Sequence, residues 1–450
     1  MKRIVFCFSL LLLHLSLISC SAEVEVGAEQ TQQYLPLLKG KRVALLSNHT
    51  GLVGDKHILD LLVENGINVT AVFSPEHGFR GTAGAGDHVD NSVDEKTGVP
   101  ILSLYTGKTP RPSDESMQQF DVLVVDIQDV GLRFYTYYIT MVRLMDACAD
   151  FQKKVIILDR PNPNGFYVDG PILDMRFKSG VGWLPVPVVH GMTLGELALM
   201  VNGEHWLPDG NQCDLSVIPC RNYTHQTRYR LPVPPSPNLQ NMLAVYLYPS
   251  MCYFEATPVS LGRGTDKPFL CYGHPDYKLS TTNSQLSTSL NSQLSTFNYI
   301  SFTPRSMTSA PRPPQQDRLC YGIDLSGMSE EEAMQRGVDL TFLIDAYRNL
   351  ISAKDSTNSQ PSTNQHLSTF NSQLSTSFHG SADRSEQSED KNSQLSTFNF
   401  FTPFFEKLIG VDYVRPMIEQ GRSAEEIRAC WQQDIEKFKL QRRPYLLYKE

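Results

Sequence analysis

The sequence lacks the short motifs that identify most enzymes built on an α/β fold. It has no GxSxG nucleophile elbow, no HExxH zinc motif, no Walker A loop and no GxGxxG after its first predicted strand. These absences argue against an α/β-hydrolase elbow, a zincin, a P-loop enzyme and a dinucleotide-dependent enzyme. We therefore predict no cofactor.

Clustered cysteines and an excess of positive charge are also missing. The nine cysteines include no CxxC pair, which argues against a metal cluster, and we predict no metal site. The formal net charge is -8, whereas a nucleic-acid-binding protein needs a basic surface to neutralise phosphates. A local basic pocket for a small anion remains compatible with this charge.

The first twenty residues have the pattern of an export signal. Lys2 and Arg3 precede an almost wholly apolar run, 4–18, which is too short to span a bilayer comfortably. The run ends in Leu17-Ile18-Ser19-Cys20, which resembles a bacterial lipobox. We predict a signal peptide over 1–20, a lipid anchor at Cys20, and an exported periplasmic or outer-membrane lipoprotein. The alternative is cleavage at small residues, with Cys20 incidental.

Alternating strand and helix patterns over 34–240 predict a doubly wound, Rossmann-like α/β domain. Continuous apolar runs, typical of strands buried on both faces, predict strands at 41–47, 67–73, 99–104, 121–127 and 154–158, with 186–189 as a further candidate. Apolar residues at helical spacing predict helices at 56–65, 137–151 and 194–202.

A proline-rich segment, 231–238, interrupts this alternation and predicts a domain junction near 240. We predict a smaller α+β domain over 241–450, with helices at 330–353 and 424–438. The hexapeptide Asn-Ser-Gln-Leu-Ser-Thr recurs there at irregular spacing. These copies indicate low-complexity insertions near 280–298 and 355–399, for which we expect no function.

Polar residues follow the predicted strands of the first domain. In an open α/β sheet, ligands bind beyond the carboxyl ends of the strands. The sequence therefore predicts a polar crevice lined by residues from five strand ends: Asn48 and His49; Glu76 and His77; Asp126, Gln128 and Asp129; Asp159 and Arg160; and His190.

Two of these strand ends also fit a structural role. Ser74-Pro75-Glu76 is compatible with the start of a helix, although Gly78 and Gly81 follow at once. Asp129 and Arg133 are four residues apart, which is compatible with an exposed helical ion pair.

The later strand ends and the second domain allow structural roles as well. Asp159 and Arg160 fit a proline-containing turn, and the motif Thr193…Glu196 fits a capping box, so Glu196 is interpreted as structural. His190 stands just before that helix and fits either a functional or a structural role, and Tyr135 is compatible with the core or a cleft wall. Glu255 and Arg263, in the second domain, either bind a ligand or pair with each other.

Long motifs in this order resemble a known family. They are Ser47-Asn48-His49-Thr50-Gly51, Ser74-Pro75-Glu76-His77-Gly78-Phe79-Arg80-Gly81, the segment 126–137, Leu158-Asp159-Arg160-Pro161-Asn162-Pro163, the segment 190–196, Pro234-Pro235-Ser236-Pro237-Asn238 and Gly262-Arg263-Gly264-Thr265. Together they resemble the NamZ-type exo-β-N-acetylmuramidases from about Tyr34 to the C-terminus.

The resemblance implies a Rossmann-like domain, a smaller C-terminal domain and a cleft between them. It implies release of N-acetylmuramic acid from the non-reducing end of peptidoglycan-derived muropeptides or disaccharides. It also implies that Glu76 is the catalytic acid. The polar repeats depart from the family pattern and fall within the C-terminal domain.

Glycoside hydrolysis requires a protonated acid at the leaving oxygen and a second group that stabilises or attacks the sugar. We predict Glu76 as the acid, with His77 or a nearby carboxylate holding its pKa near the working pH. The second group is Asp126, Asp129 or Glu255, or else the acetamido group of the substrate. The lactyl carboxylate of muramic acid predicts an arginine partner, Arg160 or Arg263. Further substrate contacts are predicted from Asn48, Arg80, Gln128, Arg133, Tyr135, Asp159, His190 and Glu255.

Two different functions fit the same residues. A metal-dependent esterase or amidase would use His49, His77, His190 and the aspartates as ligands. A non-catalytic lipoprotein would bind cell-wall sugars without turning them over.

Overall fold

A computed structural model describes residues 23–75, 79, 92–104, 111–278, 298–355 and 399–450. The predicted signal segment with Cys20, the residues Glu76, His77 and Arg80, and nearly all of the two repeat insertions lie outside these ranges. Within the described ranges, no helix is both long and apolar enough to cross a bilayer.

The first domain is built on a mostly parallel sheet. Its described strands are β1 (Arg42–Ser47), β4 (Asn68–Ser74), β5 (Ser92–Val93), β6 (Pro100–Ser103), β7 (Val122–Asp126), β8 (Lys154–Leu158) and β9 (Asp214–Ile218), in the spatial order β5–β6–β4–β1–β7–β8–β9. Only β5 pairs antiparallel among them. A separate small hairpin joins β2 (Leu52–Val53) to β3 (Lys56–His57).

Both faces of this sheet are buried, which explains the continuous apolar runs of its strands. Successive side chains of a strand point to opposite faces, so Val43 and Leu45 pack into one core while Ala44 and Leu46 pack into the other. Helices α1 (Thr31–Leu38) and α2 (Ile58–Glu64) cover the first face. Helices α3 (Asp114–Gln118), α4 (Tyr137–Asp150) and α5 (Leu194–Gly203) contribute to the core on the second. The doubly wound, Rossmann-like prediction is confirmed.

The predicted strand at 186–189 does not form. Pro185 and Pro187 lack backbone N–H donors, so this segment cannot complete a ladder of hydrogen bonds. Val189 makes only isolated bridges to Leu132 and Asp169. The edge strand after β8 is instead β9, which was not predicted. Four of its five residues are exposed or only half-buried, which explains why its apolar pattern is weak.

The second domain contains an antiparallel sheet and a group of helices. Its described strands are β10 (Cys271–His274), β11 (Asn298–Phe302) and β12 (Cys320–Asp324), in the order β10–β12–β11. Its helices are α6 (Met242–Met251), α7 (Glu330–Arg336), α8 (Thr341–Asp355), α9 (Phe404–Ile409), α10 (Val414–Glu419), α11 (Ala424–Ala429) and α12 (Gln432–Arg442). The predicted helix 330–353 is thus two helices, because Gly337 has a φ of 63° that ends α7. The predicted helix 424–438 is likewise divided, into α11 and α12.

Arg133 joins the two domains. Its buried guanidinium group donates to the carbonyl oxygens of Pro171 (2.6 Å) and Val186 (3.1 Å) in the first domain. It also donates to those of Leu408 (3.0 Å) and Ile409 (2.6 Å), at the end of α9. Burial lowers the pKa of Arg133 to about 10, so the group stays charged at neutral pH. These contacts give Arg133 a structural place rather than the predicted place against substrate.

Candidate active site

The strand order brings four of the predicted strand ends side by side. β4, β1, β7 and β8 are consecutive neighbours, and Ser47 at the end of β1 is level with Asp126 at the end of β7. Asn48 therefore follows β1 at the same sheet edge where Gln128 and Asp129 follow β7. Glu76 lies outside the described residues, but it follows Pro75, which comes directly after β4.

Thr50 connects the ends of β1 and β7. Its hydroxyl group donates to Asn48 Oδ1 (2.6 Å) and accepts from the backbone N–H of Gln128 (3.0 Å). Its own backbone N–H also donates to Asn48 Oδ1 (3.0 Å). Gly51 allows the loop to lie this close, because a Cβ atom there would sit 2.2 Å from Ser47 Oγ.

In the side-chain amides of Asn48 and Gln128, one polar atom is hydrogen-bonded and the other has no partner among the described residues. Gln128 Nε2 donates to the carbonyl oxygens of Asp129 and Pro161, both at 2.8 Å. Among the described residues, neither Gln128 Oε1 nor Asn48 Nδ2 has a hydrogen-bond partner, although both are buried. Buried polar atoms are normally paired, so open ones at a sheet edge indicate a ligand site.

Asp129 carries a third open atom. Its Oδ1 accepts from the backbone N–H of Gly131 (2.7 Å), while Oδ2 accepts no hydrogen bond from any residue that the structure describes. Burial raises the pKa of Asp129 to about 7, and the backbone N–H groups of Gly131, Val130 and Tyr138 only partly oppose this rise. A carboxyl group with this pKa can take up or release a proton near neutral pH. Asp129 and Arg133 are buried and do not form the exposed ion pair that their spacing allows.

Asp126 is neutralised by Arg160. The guanidinium group donates from Nε to Oδ1 (2.6 Å) and from a terminal nitrogen to Oδ2 (3.0 Å), with both side chains almost fully buried. The same terminal nitrogen donates to the carbonyl oxygen of Leu52 (2.8 Å). This bidentate pair occupies both the carboxylate and the guanidinium group.

The proline-rich segment lies against the same sheet edge. His49 Nε2 is 2.8 Å from the carbonyl oxygen of Pro234. The hydroxyl groups of Tyr135 and Tyr137 donate to the carbonyl oxygen of Pro235, at 2.8 and 3.1 Å. Tyr135 is therefore a buried wall residue that fixes the predicted domain junction beside the strand ends.

Glu255 and Arg263 form an ion pair of 2.6 Å in the second domain. Their side chains are 28% and 15% exposed, and the Arg263 guanidinium carbon lies 5.0 Å from the centre of the Phe269 ring. Edge-to-face ring contacts continue from Phe269 through Tyr248 to Tyr135. Arg263 is thus connected through packed rings to the wall of the site, and the Glu255 bond is the only hydrogen bond of its guanidinium group seen within the described ranges.

Asp159 and His190 are both buried, and each has its own set of hydrogen bonds. Asp159 accepts from Thr193 Oγ1 (2.7 Å), the backbone N–H of Gly195 (2.9 Å) and Tyr448 Oη (2.6 Å), so its oxygens are occupied. His190 Nδ1 accepts from the backbone N–H of Met192, and burial lowers the pKa of His190 to about 3. Asp159 therefore has a structural place. His190 Nε2 has no hydrogen-bond partner among the described residues, and its predicted contact with substrate stays a prediction. The capping box Thr193…Glu196 is confirmed.

Sequence reasoning did not single out Thr50 or the carbonyl groups of Pro161, Pro234 and Pro235. The spacing Asn48-x-Thr50 is that of an Asx turn, which is a local pattern that could have indicated Thr50. The carbonyl groups carry no side-chain pattern. In the described parts of the chain, no group of three His, Cys, Asp or Glu side chains is arranged to hold a metal ion.

Comparisons with known proteins find the same family over both domains. The model of the exo-β-N-acetylmuramidase NamZ N-terminal domain matches residues 43–243, and that of the C-terminal domain matches 246–448. The peptidoglycan β-N-acetylmuramidase NamZ of Bacillus subtilis (strain 168) is 37% identical over 425 residues, which cover 92% of this chain and 89% of that protein.

Two crystal structures from Bacteroides fragilis NCTC 9343, both described as DUF1343 family proteins, have a similar fold. One has a TM-score of 0.76 at 55% identity, covering 95% of this chain and 100% of that chain. The other has a TM-score of 0.71 at 25% identity, covering 95% and 99%.

The raised pKa of Asp129 predicts a pH-dependent stability. Between about pH 4 and about pH 7 the unfolded chain has lost this proton while the folded chain retains it, so the parent loses stability as pH rises through that window. Asp129→Asn keeps the acceptor for Gly131 and cannot ionise. We expect the variant to gain on the order of a few kcal/mol relative to the parent across this window, measured by chemical denaturation at several pH values.

Asp214→Asn is the matched control, since that carboxyl group is 67% exposed and its ion pair with Lys154 is a surface one. Its stability difference from the parent should stay small throughout. An Asp129→Asn difference that does not change between pH 4 and pH 7 would contradict the buried, protonated state of Asp129.

Proposed function

The chain belongs to the NamZ family of exo-β-N-acetylmuramidases, and we propose from this premise which of its residues carry out the hydrolysis. It is a glycoside hydrolase that releases N-acetylmuramic acid from the non-reducing end of peptidoglycan fragments. The observation that carries this conclusion is the family match over both domains, together with 37% identity to the Bacillus enzyme across 92% of the chain.

Glu76 and Asp129 are the two carboxyl groups of the proposed mechanism. Glu76 follows β4 by two residues, and Asp129 follows the end of β7, while β1 lies between these two strands. Asp129, with a pKa raised to about 7 by burial, can exchange a proton near neutral pH. Glu76 donates a proton to the leaving oxygen, and Asp129 is the second carboxyl group required by glycosidases.

The contacts of Asp126 and Glu255, the competing candidates, favour Asp129. Asp126 is bound on both oxygens by Arg160, and Glu255 is paired with Arg263. A carboxylate held by a guanidinium group is a weaker base and a weaker nucleophile than one with an open oxygen. Asp129 has an oxygen that no described residue binds, and burial raises its pKa to about 7.

Removing either carboxyl group should remove the activity. We expect Glu76→Gln and Asp129→Asn each to lower kcat on a chromogenic N-acetylmuramide by at least about 100-fold, the usual contribution of a positioned acid or base. Glu255→Gln should lose much less, and Asp214→Asn should keep the parental rate. Release of the chromophore measures turnover, and thermal unfolding confirms that each variant is folded.

The assignments fail separately. Near-parental turnover by Glu76→Gln would remove Glu76 as the acid. Near-parental turnover by Asp129→Asn, with a large loss in Glu255→Gln, would instead place the second carboxyl group in the C-terminal domain.

Arg263 is the proposed partner of the lactyl carboxylate. Arg160 was the second candidate, but its guanidinium group is buried and already bound to Asp126 and Leu52. Arg263 is partly exposed, and within the described residues it is held by a single hydrogen bond to Glu255, so donors remain for a second carboxylate.

Arg263→Gln should therefore reduce selectivity for muramic acid. Muramide and glucosaminide substrates differ by the lactyl group, and charge-assisted hydrogen bonds to it are worth roughly ten- to a hundredfold in kcat/KM. We expect the muramide-to-glucosaminide ratio of kcat/KM to fall by that factor. The surface variant Arg305→Gln, whose side chain is 66% exposed, should keep the parental ratio. An unchanged ratio in Arg263→Gln would mean that another residue binds the carboxylate.

A lipid anchor at Cys20 is the proposed means of localisation. Support comes from the sequence alone, since the apolar run 4–18 ends directly before Ser19-Cys20. An acylated cysteine would hold the enzyme at a periplasmic or outer-membrane surface, near its cell-wall substrate.

Cys20→Ala tests the anchor. We expect the parent to sediment with membranes after cell lysis and the variant to stay in the soluble fraction, because acyl chains provide the membrane affinity. A parent found in the soluble fraction, with the same distribution as Cys20→Ala, would contradict the lipoprotein assignment.

A further inference from the structure

The orientations of two buried amides at the sheet edge are fixed by the chemistry of their partners. Asn48 faces two donors, the hydroxyl and the backbone N–H of Thr50, so the atom there must be its carbonyl oxygen. Gln128 faces two acceptors, the carbonyl oxygens of Asp129 and Pro161, so the atom there must be its amino group. Among the residues that the structure describes, the atoms left without a partner are therefore a donor group, the Asn48 Nδ2 amino group, and an acceptor, Gln128 Oε1.

One donor and one acceptor are complementary to a secondary amide. Such a group presents one carbonyl oxygen and one N–H, whereas a hydroxyl group presents both functions on a single atom. Asn48 and Gln128 also share a hydrogen-bond partner, because Asn48 Oδ1 and the backbone nitrogen of Gln128 each lie within about 3 Å of Thr50 Oγ1. Among the hydroxyl, lactyl and acetamido groups of N-acetylmuramic acid, only the 2-acetamido group is a secondary amide, and it is next to the scissile bond.

We propose that Asn48 and Gln128 recognise the 2-acetamido group of the sugar, Asn48 Nδ2 donating to its carbonyl oxygen and Gln128 Oε1 accepting from its N–H. This inference rests on the proposed hydrolase function and assigns the part of the substrate that each residue binds. Leaving either open atom without a partner is costly in a buried site, so sugars without the amide are rejected.

Thr50 is a positioning residue in this recognition. It does not reach the ligand through a free atom, because its hydroxyl group is used by Asn48 and by the backbone of Gln128. Its hydroxyl group and its backbone N–H both donate to Asn48 Oδ1, which keeps that oxygen turned away from the site. Without the hydroxyl group only the backbone bond remains, so the Asn48 amide is held less firmly in the orientation that presents Nδ2.

The test compares two substrates in a small set of variants. The substrates are a chromogenic N-acetylmuramide and its 2-hydroxy counterpart, which keeps the lactyl group. The measured quantity is the ratio of their kcat/KM values. We expect Asn48→Ala to lower this ratio roughly tenfold and Thr50→Val to lower it several-fold, as loss of a hydrogen bond in a buried site predicts. Thr50→Ser, which keeps the hydroxyl group, should restore the parental ratio.

A double variant distinguishes a positioning role of Thr50 from a general effect of its substitution on folding. In the double variant Asn48→Ala with Thr50→Val, the ratio should fall by less than the product of the two single losses, because Thr50 acts in part through Asn48. If Asn48→Ala does not fold, Asn48→Asp keeps the acceptor for Thr50 while removing the donor, and it should lower the ratio as well.

Equal losses on both substrates in Asn48→Ala and Thr50→Val, with an unchanged ratio, would overturn the acetamido assignment and leave the hydrolase function standing. A parent that cleaves neither substrate would instead overturn the proposed function itself, and the acetamido assignment with it.

Discussion

The parallel pairing of β4, β1, β7 and β8 is the constraint on which the rest of the molecule depends. Parallel strands in register end at the same level, and here Leu46 is paired with Phe73 and Ser47 with Asp126. Helices bury both faces of the sheet, so polar side chains have room only at its edges. The residues that follow these strands are thereby collected at one edge, where the proline-rich segment contacts His49, Tyr135 and Tyr137.

The buried polar residues near this edge fall into two groups, those whose side-chain atoms are hydrogen-bonded within the protein and those with an atom that no described residue binds. An unsatisfied buried polar group costs about 1–3 kcal/mol, which is a sizeable fraction of the roughly 5–15 kcal/mol that stabilises a typical protein. The chain satisfies Asp126 through Arg160, and Asp159 through Thr193, Gly195 and Tyr448. Among the described residues, it leaves open atoms on Asn48, Gln128 and Asp129. A substrate that pairs with these atoms offsets their cost, which is why we assign them to the site.

Continuous apolar runs were enough to predict most strands of the sheet. The carboxyl ends of those strands then indicated the edge at which polar residues gather. The runs that became β1, β4, β7 and β8 are buried on both faces, so their sequences are distinctive. The same reasoning could not separate Asp129 from Asp159, because both are acidic residues after a buried strand. What distinguishes them is tertiary: Tyr448, which occupies Asp159, is 289 residues away in sequence. Arg133 was predicted to contact substrate for a similar reason. Its actual acceptors are backbone carbonyl groups of distant segments, which no sequence pattern indicates.

The central claim is that this chain removes a terminal N-acetylmuramic acid from a glycan, and product analysis tests it most directly. The purified protein would be incubated with two disaccharides, one with N-acetylmuramic acid and one with N-acetylglucosamine at the non-reducing end, and the released sugars identified by mass spectrometry. We predict free N-acetylmuramic acid from the first disaccharide and no cleavage of the second. Cleavage of both disaccharides, or of neither, would contradict the account.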